Sequence, residues 1–354
     1  MRNQVGQVWK QQVGYFNALL EENSLGQSPD LLKAIQHQVM SGGKRLRASI
    51  PSFILQYLGQ VTGRSLLGQE EDSAKWLGLC AELLHSATLC HDDLMDGDRT
   101  RRNSPTVWVT YGAPQAINAG DLLFYVGEEA IHRSPLSAEM KLLALKYVAR
   151  CMSIVIHGQA LEIELRRDKI LPDLKSYESV VVGKTGGLFS LCLVFGGIAA
   201  GLSPQELNLL EGIGMWLGQS FQIQDDIIDL LGDKGRGMPG SDLWEGKPSW
   251  LVAYAATHFS ESFASPLDAP LCRELSSLLY IPREDKTEED VRQIYLLLEK
   301  GRAIAAGRQY LADFQVSRSG FQESWKPYSG LIDGLLGLIE RKPEAKSEAK
   351  SDDR

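Results

Sequence analysis

The chain has 354 residues, 44% of them hydrophobic and 23% charged, the make-up of a globular protein with room for one large core or two domains. Its net charge of −8 argues against general nucleic-acid binding, because such proteins need a basic face to replace phosphate counterions. Cys80, Cys90, Cys151, Cys192 and Cys272 are scattered without a C-x-x-C pair, which fits reduced thiols in a cytosol and makes disulfides unexpected.

Residues 1 to about 40 read as two amphipathic helices interrupted near Ser24 to Pro29, and the start lacks the basic-then-apolar order of a signal peptide. Ser41-Gly42-Gly43-Lys44-Arg45-Leu46-Arg47 follows, where two glycines free the backbone before a basic cluster that could receive a phosphate. From Lys75 apolar residues recur at helical spacing up to His91-Asp92-Asp93-Leu94-Met95-Asp96-Gly97, so this acidic motif ends a long helix that Gly97 closes. Arg101 and Arg102 come next. Helices are expected over Gln115 to Ala130, Ala138 to Leu165, Ser179 to Ala200, Pro204 to Leu231 and Trp250 to Phe259, and then over Val291 to Phe314 and Tyr328 to Ile339.

Strand-like alternation between hairpin turns is missing, so the fold class is all-α. Thr185 to Pro204 carries no charge and approaches the ~20 residues that cross a bilayer, but its many small residues suit close packing, and it is read as a buried helix with no membrane span. Pro282 to Asp290 reads as a solvated loop and helix start. Residues 342–354 hold no apolar anchor and are expected to form a disordered charged tail beyond a single domain at 1–341. Gly235 to Gly240 fits G-x-G-x-x-G but follows a helix, and Gly183-Lys184-Thr185 lacks the first glycine of a nucleotide loop, so both nucleotide readings are rejected.

The acidic spacing returns in Phe221-Gln222-Ile223-Gln224-Asp225-Asp226-Ile227-Ile228-Asp229. On a helix, Asp92 with Asp96 and Asp225 with Asp229 each point two carboxylates one way, and like charges so placed call for a cation. Hard oxygen ligands without clustered His or Cys suit Mg²⁺, which usually completes its shell with substrate phosphate. A carboxylate and a phosphate charge at ~4 Å repel by about 4 kcal/mol at an effective dielectric of 20, so bridging cations are required. Leu94 occupies a position where a calcium-binding EF-hand loop needs an oxygen ligand, which removes that reading.

Together, the Gly-Gly-Lys-Arg-Leu-Arg loop, Asp92-Asp93-x-x-Asp96 with Arg101-Arg102, Gly158-Gln159, Lys184-Thr185 and the Phe221 to Asp229 motif resemble the trans-isoprenyl diphosphate synthases of the polyprenyl synthetase family, over about residues 40–250. The resemblance implies a helical bundle around a deep central cavity, a homodimer in the cytoplasm, and Mg²⁺-dependent condensation of isopentenyl diphosphate with an allylic diphosphate. It places Mg²⁺ on Asp92, Asp96 and Asp225, with Asp93, Asp226 and Asp229 supporting. It places the allylic diphosphate on Arg101, Lys184, Thr185, Gln222 and Lys247, and isopentenyl diphosphate on Lys44, Arg47, His85 and Arg102. Where the family usually has Gly-Lys after the second motif this chain has Arg236-Gly237, which puts that one contact in question. A terpene cyclase and a non-catalytic subunit of a heteromeric synthase are the rival readings. The first has no need of a second diphosphate site, and the second typically lacks one acidic motif.

Product length in the family is set by bulk on the helix leading into the first motif. Thr88 and Ala87 stand where short-chain members often carry Phe or Tyr, and Leu84 is the expected partial floor. The resemblance therefore implies an all-trans product of twenty carbons or more, geranylgeranyl diphosphate or somewhat longer.

Overall fold

The computed structural model describes residues 2–22, 28–102, 104–231, 240–261, 269–314 and 321–340. Arg236 and the 342–354 tail lie outside the described residues. The chain forms α1 (Arg2–Glu22), α2 (Pro29–Met40), α3 (Leu46–Thr62) and α4 (Gly68–Met95). A short antiparallel pair, β1 (Thr100–Arg101) with β2 (Ser104–Pro105), leads to α5 (Val107–Tyr111), α6 (Ala113–Arg133) and α7 (Ala138–Arg167). Next come α8 (Leu174–Val181), a π-helical turn (Val182–Gly186), α9 (Gly187–Ala199), α10 (Pro204–Leu231) and α11 (Ser241–Trp244). The last helices are α12 (Trp250–Ser260), α13 (Pro270–Leu279), α14 (Glu288–Lys300), α15 (Ala303–Asp313) and α16 (Ser329–Ile339). The expected all-α class is what forms.

Two compact units arise, one from Met1–Ser153 with Gly187–Met215, the other from Ile154–Gly186 with Trp216–Arg354. In the first unit α4 packs chiefly along α6, and also on α3 and α9. Gln12 of α1 ties this layer together by donating to Ala48 O and Lys75 O, both at 2.9 Å. All of α9 is buried, which explains its membrane-like composition: the run is core, and each fully buried Leu, Ile or Phe there contributes about 1.5–3 kcal/mol. In the second unit Ile223 and Ile227 of α10 meet Leu251 and Val252 of α12, Leu275 of α13 and Leu298 of α14.

Four local expectations change. The β1–β2 pair is too short to show alternation in sequence. The helix expected from Ser179 starts earlier, at Leu174, where Asp173 accepts from Ser176 N–H at 2.7 Å as N-cap, and it is interrupted by the π-helical turn. The single helix expected from Val291 to Phe314 breaks after Lys300, where a Cβ on Gly301 would come within 2.6 Å of the Ala255 side chain and Arg302 turns to φ +59°. Pro282 to Asp290 does start a helix, with a Thr287–Asp290 capping box, but Lys286 within it is buried rather than solvated.

Candidate active site

The first acidic motif occupies the last turn of α4 and its cap. Gly97, at φ +70°, ends the helix in a Schellman arrangement: Asp98 N–H reaches Asp93 O at 2.9 Å and Gly97 N–H reaches Leu94 O at 3.3 Å. This places Asp92, Asp93 and Asp96 at the negative end of the helix dipole, with no basic residue in the last turn. Asp93 is buried, and Arg101 Nε donates to its Oδ1 at 2.5 Å, while its Oδ2 has no partner among the described residues. Burial, with Asp98 and Asp92 nearby, pushes Asp93 up to about 6 against the pull of Arg101. Asp92 and Asp96 are only half-buried.

A cationic patch lies in the same unit. Arg47 Nη1 stands 3.2 Å from His85 Nε2, and because a guanidinium only donates, that nitrogen accepts and the His85 proton sits on Nδ1. Burial and the charges of Arg47, Arg102, Arg101 and Arg45 hold His85 well below its ordinary value, so it is neutral. Its Nδ1–H is buried without an acceptor among the described residues, a donor that an anion's oxygen would satisfy. Arg102 donates to Gly42 O, and a Cβ on Gly43, already at φ +111°, would fall 2.5 Å from the Arg102 guanidinium. The glycine pair therefore makes room for an arginine. Arg45, passed over as a site residue, is structural: it pairs with buried Glu82 at 2.8 Å and lies over the Trp9 ring. Lys44 is exposed beside Gly43.

The second motif ends α10, again with no basic residue in the last turn. Asp226 accepts from Tyr177 O–H at 2.6 Å, Gln222 Nε2 at 2.7 Å and Trp250 N–H at 2.8 Å. Burial pushes Asp226 up to about 6, and the charge of Asp225 adds to this while the three hydrogen bonds oppose it. Asp229 accepts from Ser241 O–H at 2.7 Å and Asp242 N–H at 2.9 Å. Asp225 is half-buried. Thr185 O–H donates to Gln222 Oε1 at 2.9 Å, so two expected ligand contacts join the Asp226 network. Lys184 sits in the π-helical turn, where a Cβ on Gly158 would come within 2.4 Å of its backbone N, and its Nζ meets Glu162 at 3.2 Å. Gln159 beside it is buried with no partner for either amide atom among the described residues. Lys247 pairs with Glu245 at 2.6 Å.

Within the first unit, the charges of Arg47, Arg101 and Arg102 act on His85, and Arg102 also meets the glycine loop. Within the second, Thr185, Gln222 and Asp226 form one network. Glu162, Tyr177 and Glu245 were not found from sequence: Glu162 could have been, lying one turn beyond Gly158-Gln159, but Tyr177 is 49 residues from its partner and carries no signal. Of the residues expected to govern length, Thr88 is half-buried and shares the Asp92 face of α4, whereas Ala87 and Leu84 are covered, Leu84 lying against Gly127.

Among the described residues no group of three or more His, Cys, Asp or Glu side chains is set to hold a metal unaided.

A family model described as polyprenyl synthetase matches residues 28–295. The chain is similar to a geranylgeranyl diphosphate synthase of Sulfolobus acidocaldarius, 37% identical over 246 residues that cover 68% of this chain and 71% of the relative. It is also 36% identical over 235 residues to a short chain isoprenyl diphosphate synthase of Methanocaldococcus jannaschii, covering 65% of this chain and 68% of that one. Among solved structures, geranylgeranyl pyrophosphate synthetase from Pyrococcus horikoshii superposes with a TM-score of 0.73 at 25% identity, over 96% of this chain and 98% of that one. The chain belongs to the polyprenyl synthetase family and is a trans-prenyltransferase.

Proposed function

We propose that this enzyme condenses isopentenyl diphosphate head-to-tail with an allylic diphosphate to give an all-trans product of twenty carbons or more. The observation that carries the reading is the pair of aspartate clusters crowning the negative ends of α4 and α10 without a basic residue in either last turn. Mg²⁺, when bound, would be held by Asp92, Asp96 and Asp225 and would neutralise the departing diphosphate. Lys184, Lys247, Arg101, Thr185 and Gln222 bind and orient the allylic diphosphate. Each ~1.4 kcal/mol by which such contacts favour the departing group over the bound one is worth tenfold in rate. The other diphosphate rests on Lys44, Arg47 and Arg102, and neutral His85 gives it the Nδ1–H. No side chain is assigned as general base; the released diphosphate takes the proton.

Residues 1–341 are read as one polyprenyl synthetase domain, in keeping with a family match that runs from residue 28 to 295. The protein works as a homodimer, consistent with Ile117, Tyr125 and Leu142 of α6 and α7 being left exposed. A cytoplasmic setting agrees with five free, buried cysteines. Neither nucleic acid nor a membrane span enters the reading.

The purified chain is to be incubated with Mg²⁺, isopentenyl diphosphate and allylic primers of five, ten and fifteen carbons, and its products separated by chromatography. Elongation to twenty carbons or more supports the reading. Cyclised hydrocarbon without elongation would mark a cyclase, and no product from any primer would mark a non-catalytic subunit. Lys44→Ala should mainly raise KM for isopentenyl diphosphate, and Lys184→Ala mainly impair the allylic partner. Equal effects of both on both substrates would end the division into two sites.

A further inference from the structure

The turn joining α13 to α14 presents mostly exposed charge, but Lys286 in it is only 6% exposed. Its Nζ donates to Leu243 O and to Leu279 O, both at 2.6 Å. Leu243 lies in α11 and Leu279 ends α13, so one ammonium caps the carbonyl ends of two helices, where a cation complements the dipole. Asp290, the nearby acid, spends its carboxylate on Thr287 N–H and O–H at 2.8 and 2.6 Å. Backbone carbonyls are thus the acceptors of this buried charge. Burial draws Lys286 down to about 8 while Asp290 pulls the other way, so at neutral pH the amine keeps its proton and its three donors.

The same joint has two further fastenings. Gly246, at φ +68°, brings the chain so close to α13 that a Cβ there would lie 2.9 Å from Leu279 O, and its N–H donates to Leu243 O at 3.3 Å. Arg283 Nη1 stands 3.6 Å from Glu245 Oε1. The segment 241–247 is therefore gripped at Leu243, Glu245 and Gly246. Its two ends reach the candidate site, with Ser241 and Asp242 holding Asp229 and with Lys247 paired to Glu245.

We infer that Lys286 is a positioning residue for diphosphate binding: it fixes the segment that orients Asp229 and presents Lys247. This rests on Lys247 being an allylic-diphosphate contact. A role in folding alone would lower stability and leave the two substrates' KM values in their original ratio.

The test compares Lys286→Met, Arg283→Ala and Lys247→Ala for KM of each substrate, with melting curves for all three. Lys286→Met is expected to raise the allylic KM about tenfold and to leave that for isopentenyl diphosphate within about twofold, the pattern of a lost contact specific to one ligand. Arg283→Ala, at a mostly exposed position, should raise the allylic KM by about two- to threefold with an unchanged melting temperature. A folded Lys286→Met enzyme with unchanged KM values, or with equal rises in both, overturns the inference. If Lys286→Met does not fold, Arg283→Ala decides: a selective rise supports the positioning role and no change overturns it. Should Lys247→Ala be selective and Lys286→Met not, only the positioning role fails; should Lys247→Ala itself show no selectivity, the reading of Lys247 fails and the inference with it.

Discussion

In the cluster that ends α4, the middle aspartate is buried and tied to one arginine while Asp92 and Asp96 on either side are half-buried. In the cluster that ends α10, Asp226 accepts from Tyr177, Gln222 and Trp250 and Asp229 from Ser241 and Asp242, and both are buried, whereas Asp225 is half-buried. Identical spacing thus yields two half-buried carboxylates in one place and one in the other. The remaining aspartates serve as anchors: Asp93 holds the arginine hairpin, and Asp226 and Asp229 hold the starts of α12 and α11. The lesson is that the Asp-Asp-x-x-Asp pattern marks where charge collects, and the surrounding packing and donors decide which of its carboxylates are buried.

The largest expected effect separates the half-buried aspartates from the anchors. Asp92→Asn or Asp225→Asn should lower kcat by about 10²-fold or more, the scale on which single electrostatic contacts to a leaving group act. Near-native turnover at saturating Mg²⁺ would show these carboxylates to be bystanders. Asp226→Ala should behave differently, losing about 1–3 kcal/mol of stability, since Tyr177, Gln222 and Trp250 are left without their acceptor. Chemical denaturation measures it, and equal stability in Asp226→Ala and Asp225→Ala would erase the distinction.

A pH series sharpens the same comparison. Asp93 and Asp226, pushed up to about 6 from 3.8, favour the fold when protonated. That contribution is complete below about pH 4 and is lost as pH rises through about 6, so each of these groups costs the metal-free protein on the order of 1–3 kcal/mol between those limits. Melting temperatures from pH 4 to 7 should fall more steeply for the wild type than for Asp226→Asn, and parallel curves would contradict the assignment. The smallest effect concerns α4 above Asp92. Thr88→Phe should shorten the product with little change in stability, whereas Ala87→Phe, at a covered position, should cost about 1–3 kcal/mol by overpacking. Product chromatography and melting curves decide, and an unshortened product from Thr88→Phe removes that residue from the length-setting wall.

Much of the frame was legible because it obeys local rules. α10 forms over the expected Pro204–Leu231, and Gly97 closes α4 because the left-handed turn after an acidic last turn suits glycine. What stayed hidden depends on partners distant in sequence. Tyr177 reaches Asp226 across 49 residues and Lys286 reaches Leu243 across 43, and neither periodicity nor spacing encodes such pairs. The break between α14 and α15 was missed for a similar reason: the apolar period continues through it, while Arg302 turns left-handed where Gly301 packs closely on Ala255. Lys286 was misread most completely, since a lysine amid acids looks solvated until the helix ends that receive its donors are in place.

Calorimetric titration of Mg²⁺ into the protein, with and without a non-reactive allylic thiolodiphosphate, tests most directly the division of the two clusters into ligand-facing and anchoring carboxylates. The wild type should bind Mg²⁺ weakly alone and tightly with the analogue, Asp92→Asn and Asp225→Asn should each lose most of the analogue-dependent affinity, and Asp93→Asn should keep more of it. Tight binding without any diphosphate, or analogue-dependent binding untouched by both Asp92→Asn and Asp225→Asn, would contradict the assignment.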